Sequence, residues 1–334
     1  MITATPAPAQ PASWQHQWRE AITDPVELLR ALDLDALLPS LAAAGARSFP
    51  LRVPRAFLAR MRRGDPADPL LRQVLPLADE DRVVAGYGLD AVGDLASRAV
   101  PGVLHKYQGR ALLVATGSCA VNCRYCFRRH FPYAEEGAAA DRWRGALAWL
   151  AAHPDVDELL LSGGDPWSLS DARLQELTDG LRRIPHLRRL RVHTRLPVVL
   201  PDRVDAGLLA WVRGLHLPLV VVVHANHPAE LDPATARAFA ALRAAGATLL
   251  NQAVLLQGVN DDPKVLAGLS ESLFAQGVLP YYLHQLDRVA GTAHFAVDDA
   301  LARRLHQDLR RRLPGYLVPR LVREEAGQPY KVPL

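Results

Sequence analysis

The sequence predicts an α/β fold: a partial, TIM-like (β/α)6 barrel on a parallel sheet, with a helical extension before it and a short tail after it. Two observations carry this. From residue 111 onward, short apolar runs alternate with amphipathic stretches in six successive units. Strand–helix units in succession impose parallel pairing through right-handed crossovers. A third observation narrows the class: no Gly-x-Gly-x-x-Gly follows the first apolar run, which disfavours a dinucleotide-binding sheet. An open doubly wound sheet fits the pattern as well as the partial barrel does. In both, chemistry belongs at the C-terminal ends of the strands.

Taken in order, residues 1–13 lack a basic region and a long apolar run, and read as a frayed tail, not a secretory leader. Residues 14–110 read as a helical extension, packed around Trp18 and Val26–Leu37 with proline-rich connections. The barrel core is expected over 111–312. Its apolar runs are Ala111–Thr116, Glu158–Ser162, Arg189–Thr194, Leu219–His224, Thr248–Leu256 and Val278–Leu283. Helices are expected at about 140–152, 170–183, 202–213, 233–245, 263–276 and 298–312. The fourth helix carries its own boundaries: Asp232 as cap, Pro233 in the first turn and Gly246 at the end. The sixth has Leu301, Leu305, Leu309 and Leu313 on one stripe. Asp298 and Asp299 at its start and Arg310, Arg311 and Arg312 at its end suit the helix dipole. Residues 313–334 remain as a tail with one apolar stretch, Tyr316–Val322.

Composition excludes several classes. Of 334 residues, 49% are apolar and 22% charged, which allows a full core and excludes wholesale disorder. No stretch approaches the roughly 18–20 apolar residues of a membrane helix. A net charge of +4 does not demand a nucleic-acid partner. The three cysteines lie within eight positions, which excludes a disulfide framework and points to a cytoplasmic protein. Lysine-specific chemistry has three candidates, Lys106, Lys264 and Lys331.

Directly after the first apolar run, Cys119, Cys123 and Cys126 form a C-x3-C-x2-C loop. Three thiolates on one tight loop can hold three irons of a 4Fe–4S cluster and leave the fourth open to a small molecule. A structural zinc site is the competing reading. It needs four ligands, and His130 would have to complete the set.

The loop, with Tyr125 before its last cysteine, resembles the radical S-adenosylmethionine (SAM) superfamily. The turn Leu161-Ser162-Gly163-Gly164-Asp165-Pro166 resembles that superfamily's glycine-rich motif. The resemblance implies that Ser162, Gly163, Gly164 and Asp165 contact SAM: glycines allow close backbone approach, and the carboxylate would take the SAM ammonium. Longer matches identify the lysine 2,3-aminomutase group, and within it the type that serves elongation factor P β-lysylation. They include Val100 to Tyr107, Cys119 to Tyr133, His224 to Pro228, Asn251-Gln252, Tyr281-Tyr282, Gly291 to Phe295 and Gly315 to Pro319.

That resemblance implies a second cofactor, pyridoxal 5′-phosphate (PLP), on Lys331. Lys106, Tyr107, Arg110 and Gln252 would surround it. Arg128 would hold the carboxylate of L-lysine, and Asp287 and Glu324 its ε-ammonium, with Glu324 standing where the family has an aspartate. Charge patterning alone would leave Lys106 and Arg110 in a surface loop, Lys264 on the surface, and Glu324 and Glu325 as an exposed pair. The implied reaction turns (S)-α-lysine into (R)-β-lysine by hydrogen abstraction at Cβ, with SAM cleaved by the reduced cluster. A lysyl-tRNA-synthetase-like ligase would then load the product onto elongation factor P. The chain lacks the extra zinc-binding cysteines of the free-lysine enzymes and stops three residues after Lys331, which tilts the expectation the same way. The alternatives are an aminomutase that releases a free β-amino acid, an RNA-modifying radical SAM enzyme suggested by Arg124, Arg128 and Arg129, and a non-enzymatic iron–sulfur protein.

Overall fold

The computed structural model describes residues 13–42, 48–136 and 141–334. The expected N-terminal tail lies outside these residues except for Ser13, whose hydroxyl accepts from the His16 backbone N at 3.3 Å and caps the helix Trp14–Arg19.

Ten strands form one sheet in sequential order: β1 (Arg98–Val100), β2 (Val103–Tyr107), β3 (Arg110–Thr116), β4 (Glu158–Gly163), β5 (Arg189–Thr194), β6 (Leu219–Val223), β7 (Thr248–Val254), β8 (Leu279–His284), β9 (Arg320–Arg323) and β10 (Val332–Pro333). Strands β3 to β9 pair parallel, each with the next. The order contains no reversal. A doubly wound sheet requires one, so that alternative does not hold. The six expected apolar runs are β3 to β8, each within two residues of its predicted ends. Strand β6 is Leu-Val-Val-Val-Val with four of its five residues buried, as expected for a parallel strand covered on both faces.

The helices between the strands start and stop as their sequence signals require. In Pro233–Ala244, Asp232 and Thr235 form a reciprocal capping box, Pro233 opens the first turn, and Gly246 follows the end at φ +104°. In Asp299–Arg312, Asp298 accepts from the Leu301 backbone N at 2.8 Å, and Ala302, Leu305 and Leu309 are buried.

Two expectations need correction. Residues 14–110 are not a separate helical extension. Their helices run only four to seven residues, and the segment ends in β1 and β2, which extend the sheet, β2 antiparallel to β3 and β1 antiparallel to β2. Trp14, Leu28, Leu29, Phe57, Leu70 and Leu71 belong to the same buried cluster as the residues of β3 to β9. The boundary at 110/111 therefore cuts a hairpin, with Tyr107 opposite Arg110. Residues 313–334 are not a tail. Strand β9 pairs parallel to β8, and β10 folds back on β9 with Val332 opposite Arg323. The apolar stretch that suggested only a lead back to the barrel begins in a short helical turn, Gly315–Leu317, and runs into a seventh parallel strand. Among the described residues, no helix is long and apolar enough to cross a membrane.

Candidate active site

The C-terminal ends of the parallel strands each deliver a side chain or loop to one cavity, of about 240 Å³ of water-reachable space. Cys119, Cys123, Cys126 and Arg128 follow β3, Gly163 to Asp165 end and follow β4, and Gln252 lies on β7. Asp287 follows β8, and Glu324 and Lys331 close the β9–β10 loop. Lys106, Tyr107 and Arg110 enter from the β2–β3 hairpin. The structure thus brings together all the residues expected from the sequence, across more than 200 positions. A second depression of about 260 Å³, beside Arg310 and Arg320, contains none of them.

The cysteine loop is braced from the N-terminal segment. Buried Glu80 accepts from Arg124 Nε at 2.7 Å, from Arg124 Nη2 at 2.5 Å and from Arg129 Nη2 at 2.7 Å. The Arg124 backbone N donates to Gln73 O at 2.8 Å. Arg124, Arg128 and Arg129 are all buried, so the arginines that suggested an RNA surface face inward. The three thiols are free. Burial pushes Cys126 up to about 11 and Cys119 well above its ordinary value, so an incoming iron displaces protons. Among the described residues, no three His, Cys, Asp or Glu side chains are placed to share one metal ion. The ligands of a cluster hold different irons and stand further apart than the ligands of one ion. A three-thiol donor set of this kind therefore fits a 4Fe–4S cluster better than zinc.

The glycine-rich turn also packs closely against the chain itself. A Cβ on Gly164 would lie 2.4 Å from Ser118 O, and one on Gly163 2.6 Å from Thr116 O. The Gly164 backbone N donates to Thr116 O and the Asp165 backbone N to Ser118 O, each at 2.7 Å. These glycines let β4 close onto the backbone that leads into Cys119, so the close approach is first to the chain itself. The Asp165 carboxylate is likewise occupied. It accepts from Trp167 N at 3.1 Å, Thr194 Oγ1 at 2.7 Å, Arg195 N at 2.7 Å and Leu196 N at 3.1 Å. With four donors on two oxygens it joins the ends of β4 and β5. Gly164→Ala should therefore destabilise the protein by roughly 1–3 kcal/mol and lower its iron content. A urea titration with iron analysis checks this, and an unchanged midpoint would remove the glycine from this role.

Around Lys331 the charges interlock. Lys331 Nζ lies 2.5 Å from Glu324 Oε2, and Lys106 Nζ lies 3.1 Å from Glu324 Oε1 and 2.6 Å from Asp94 Oδ1. The β9–β10 pairing creates this contact, because Val332 opposite Arg323 sets the preceding Lys331 beside Glu324. Gly327, at φ +79°, gives the intervening loop its turn. Glu324 is not part of an exposed pair: its side chain is 17% exposed, whereas Glu325 is open to solvent. Lys106 and Arg110 are not in a surface loop but on paired strands, with Arg110 4.5 Å from the Tyr107 ring centre. Lys264 is exposed, as expected.

The two carboxyls titrate apart. Burial raises Asp287, the negative charge of Glu324 raises it further, and it reaches about 7 despite Lys331 and Lys106. Burial also pushes Glu324 upward, but Lys331 and then Lys106 outweigh it and hold Glu324 well below the usual carboxylate range. Asp287 Oδ1 and Gln252 Oε1 are buried without partners, so the cavity holds unspent hydrogen-bonding capacity. Arg128 Nε donates to Asp94 Oδ2 at 2.7 Å and Nη1 to Ser162 Oγ at 2.9 Å. Its Nη2 makes no hydrogen bond among the described residues and is left for an anion.

Sequence reasoning missed several residues here. Asp94 orients both Lys106 and Arg128. His193, His224 and His284 line the cavity as neutral imidazoles; burial lowers His224 to about 4 and holds the other two well below their ordinary value. Arg195 donates to Cys123 Sγ at 2.7 Å. One signal could have found the histidines and Arg195: each lies within the last two residues of an apolar strand or directly follows one, where this fold places its chemistry. Asp94 has no such signal.

No family model matches the chain. The L-lysine 2,3-aminomutase of Escherichia coli (strain K12) is 50% identical over 322 residues, 96% of this chain and 94% of that protein. The L-lysine 2,3-aminomutase of Haemophilus influenzae is 45% identical over 333 residues, 99% and 98% of the two chains. That of Clostridium subterminale is 33% identical, covering 96% and 77%. A solved radical SAM methyltransferase from Sphaerobacter thermophilus overlaps 66% of this chain and 68% of its own at 19% identity and a TM-score of 0.42, too slight a likeness to argue from. Identity of this extent along nearly the whole length leaves one conclusion: the chain belongs to the L-lysine 2,3-aminomutase family of isomerases.

Proposed function

We propose that the protein is a radical SAM, PLP-dependent aminomutase that converts (S)-α-lysine to (R)-β-lysine on a sheet curved into a partial (β/α)6 barrel. The observation that carries this reading is the single cavity shared by Cys119, Cys123, Cys126, Arg128, Asp287, Glu324 and Lys331. The names of the relatives support lysine as the substrate. The donor sets fit the cofactors. The three thiols would hold the cluster, the cavity walls at Ser162 to Asp165 would border SAM, and Lys331 would carry PLP with Lys106, Arg110 and Gln252 near its phosphate. When bound, the cluster and SAM supply hydrogen abstraction, and PLP supplies the carbonyl through which nitrogen moves between adjacent carbons.

The chain's own residues bind and orient. Arg128 presents its free Nη2 to the substrate carboxylate while Asp94 and Ser162 hold the guanidinium. Asp287 and Glu324 receive the ε-ammonium. Arg110, Tyr107 and Tyr282 wall the cavity against water, which would quench radical chemistry. The proton on Asp287 gives a pH signature. An ammonium pairs with the carboxylate alone, so lysine binding releases that proton, and KM for lysine should rise as pH falls through about 7. The same raised value means that the group's contribution to stability is greatest below its ordinary 3.8 and is lost as pH rises through about 7.

Asp287→Asn should flatten that KM profile. It should also lower kcat/KM for lysine by roughly 30- to 5,000-fold, since an unpaired buried ammonium costs about 2–5 kcal/mol. SAM cleavage without substrate should fall far less. Equal losses in both activities would instead place Asp287 in the SAM site or the core.

The decisive experiment is anaerobic: reconstituted protein, lysine, SAM, PLP and a reductant, with β-lysine assayed. The expected result is β-lysine that depends on all three cofactors. A fully loaded protein that forms none would overturn the reading. The resemblance further supports a cytoplasmic setting and delivery of the product to elongation factor P through a lysyl-tRNA-synthetase-like ligase.

A further inference from the structure

We propose that Arg195 is a positioning residue that sets the reduction potential of the cluster through Cys123; this rests on the proposed function above. Arg195 directly follows β5, and its Nη1 donates to Cys123 Sγ at 2.7 Å. Among the described residues, no other charged side chain donates to a cysteine of the loop. The guanidinium is not free to turn away. Its Nη2 donates to Gln73 Oε1 at 2.7 Å and to Glu230 Oε2 at 2.8 Å. Its centre lies 5.4 Å from the Phe57 ring and 5.7 Å from the Tyr125 ring, in reach of both.

Glu230 is itself fixed. It is fully buried, and its Oε1 accepts from Gln73 Nε2 at 3.1 Å, Asn226 N at 2.9 Å and His227 N at 3.1 Å. The charge at Cys123 is thus held by the N-terminal segment and by the loops after β5 and β6. A brace for the loop would not require this, since Glu80 already grips Arg124 and Arg129. Arg195 Nε is also buried without a partner.

The physical effect follows from charge. Reduction adds one electron to the cluster, supplied by a low-potential one-electron donor, and neither forms nor breaks a bond in the protein. A fixed positive charge and N–H donors at a ligand sulfur favour the more negative, reduced state and raise the potential. Arg195 therefore makes the cluster easier to reduce.

The test is an anaerobic redox titration of the substrate-free protein, following the electron paramagnetic resonance signal of the reduced cluster. Removal of Arg195 alone strands the buried Glu230 charge, so the informative variant is the double substitution Arg195→Gln with Glu230→Gln, beside Arg195→Lys. The double variant should load its iron. At any fixed potential it should show at least a tenfold lower ratio of reduced to oxidised cluster, equivalent to about 59 mV for a one-electron couple. Arg195→Lys keeps the charge and should fall between it and the wild type. A loaded double variant that titrates with the wild type overturns the inference alone. So does loss of iron from both variants, which would make Arg195 a structural brace. A wild type that takes up no cluster overturns the proposed function first.

Discussion

Lys331→Arg should abolish lysine isomerisation as completely as Lys331→Ala. PLP attachment needs an amine that can lose its proton and bond to carbon, and a guanidinium stays protonated at any working pH. Retained positive charge therefore does not rescue. Arginine could still pair with Glu324, so the cavity should keep its shape while the attachment point is gone. After borohydride reduction and dialysis the wild type should retain PLP absorbance and both variants should lose it, with the cluster intact. PLP fixed on Lys106 or Lys264 in the wild type would end the assignment. Deletion of residues 331–334 is a poorer test than it looks from the sequence. Val332 and Pro333 pair with β9, and the Leu334 backbone N donates to Leu321 O at 3.2 Å, so truncation strips the seventh parallel strand of its antiparallel partner and leaves it paired on one side only.

Each single Cys→Ala at 119, 123 and 126 should bring SAM cleavage below detection, because each thiolate anchors one iron. The fold should survive. The loop is held by Glu80 through Arg124 and Arg129, and the Asn122 side chain donates to Pro50 O at 2.8 Å. These contacts need no metal, so the variants should unfold near the wild-type denaturant midpoint and lack iron. The Cys123 variant also leaves Arg195 Nη1 without its acceptor and should be the least stable of the three. Iron and sulfide content and 5′-deoxyadenosine formation, measured anaerobically, check the set. Stoichiometric zinc in place of iron in the wild type would refute the cluster.

The strand–helix succession and the cysteine loop were legible in the chain because each is written locally, whereas the candidate substrate and PLP residues came only from the family resemblance. Apolar period gives β3 to β8, cap residues give the ends of Pro233–Ala244, and three thiols in eight positions announce their chemistry without a fold. The edges of the sheet were not legible. Strands β1, β2, β9 and β10 are two to five residues long, and their hydrogen bonds go to partners that periodicity cannot name. Short strands have little pattern of their own and exist because a neighbour is already in place.

The same division runs through the site. Sequence could identify Lys331 and Glu324 but not that a hairpin sets them 2.5 Å apart, with Asp287 left to hold the proton. It could find Gly163, Gly164 and Asp165, yet only the tertiary structure shows the glycines against the backbone before Cys119 and the carboxylate saturated by β5. Asp94, Glu80, Gln73, Glu230 and Arg195 carry no motif. Their meaning lies in burial and in partners 34 to 157 positions away, and burying a charge beside its partners is a decision of the folded chain alone.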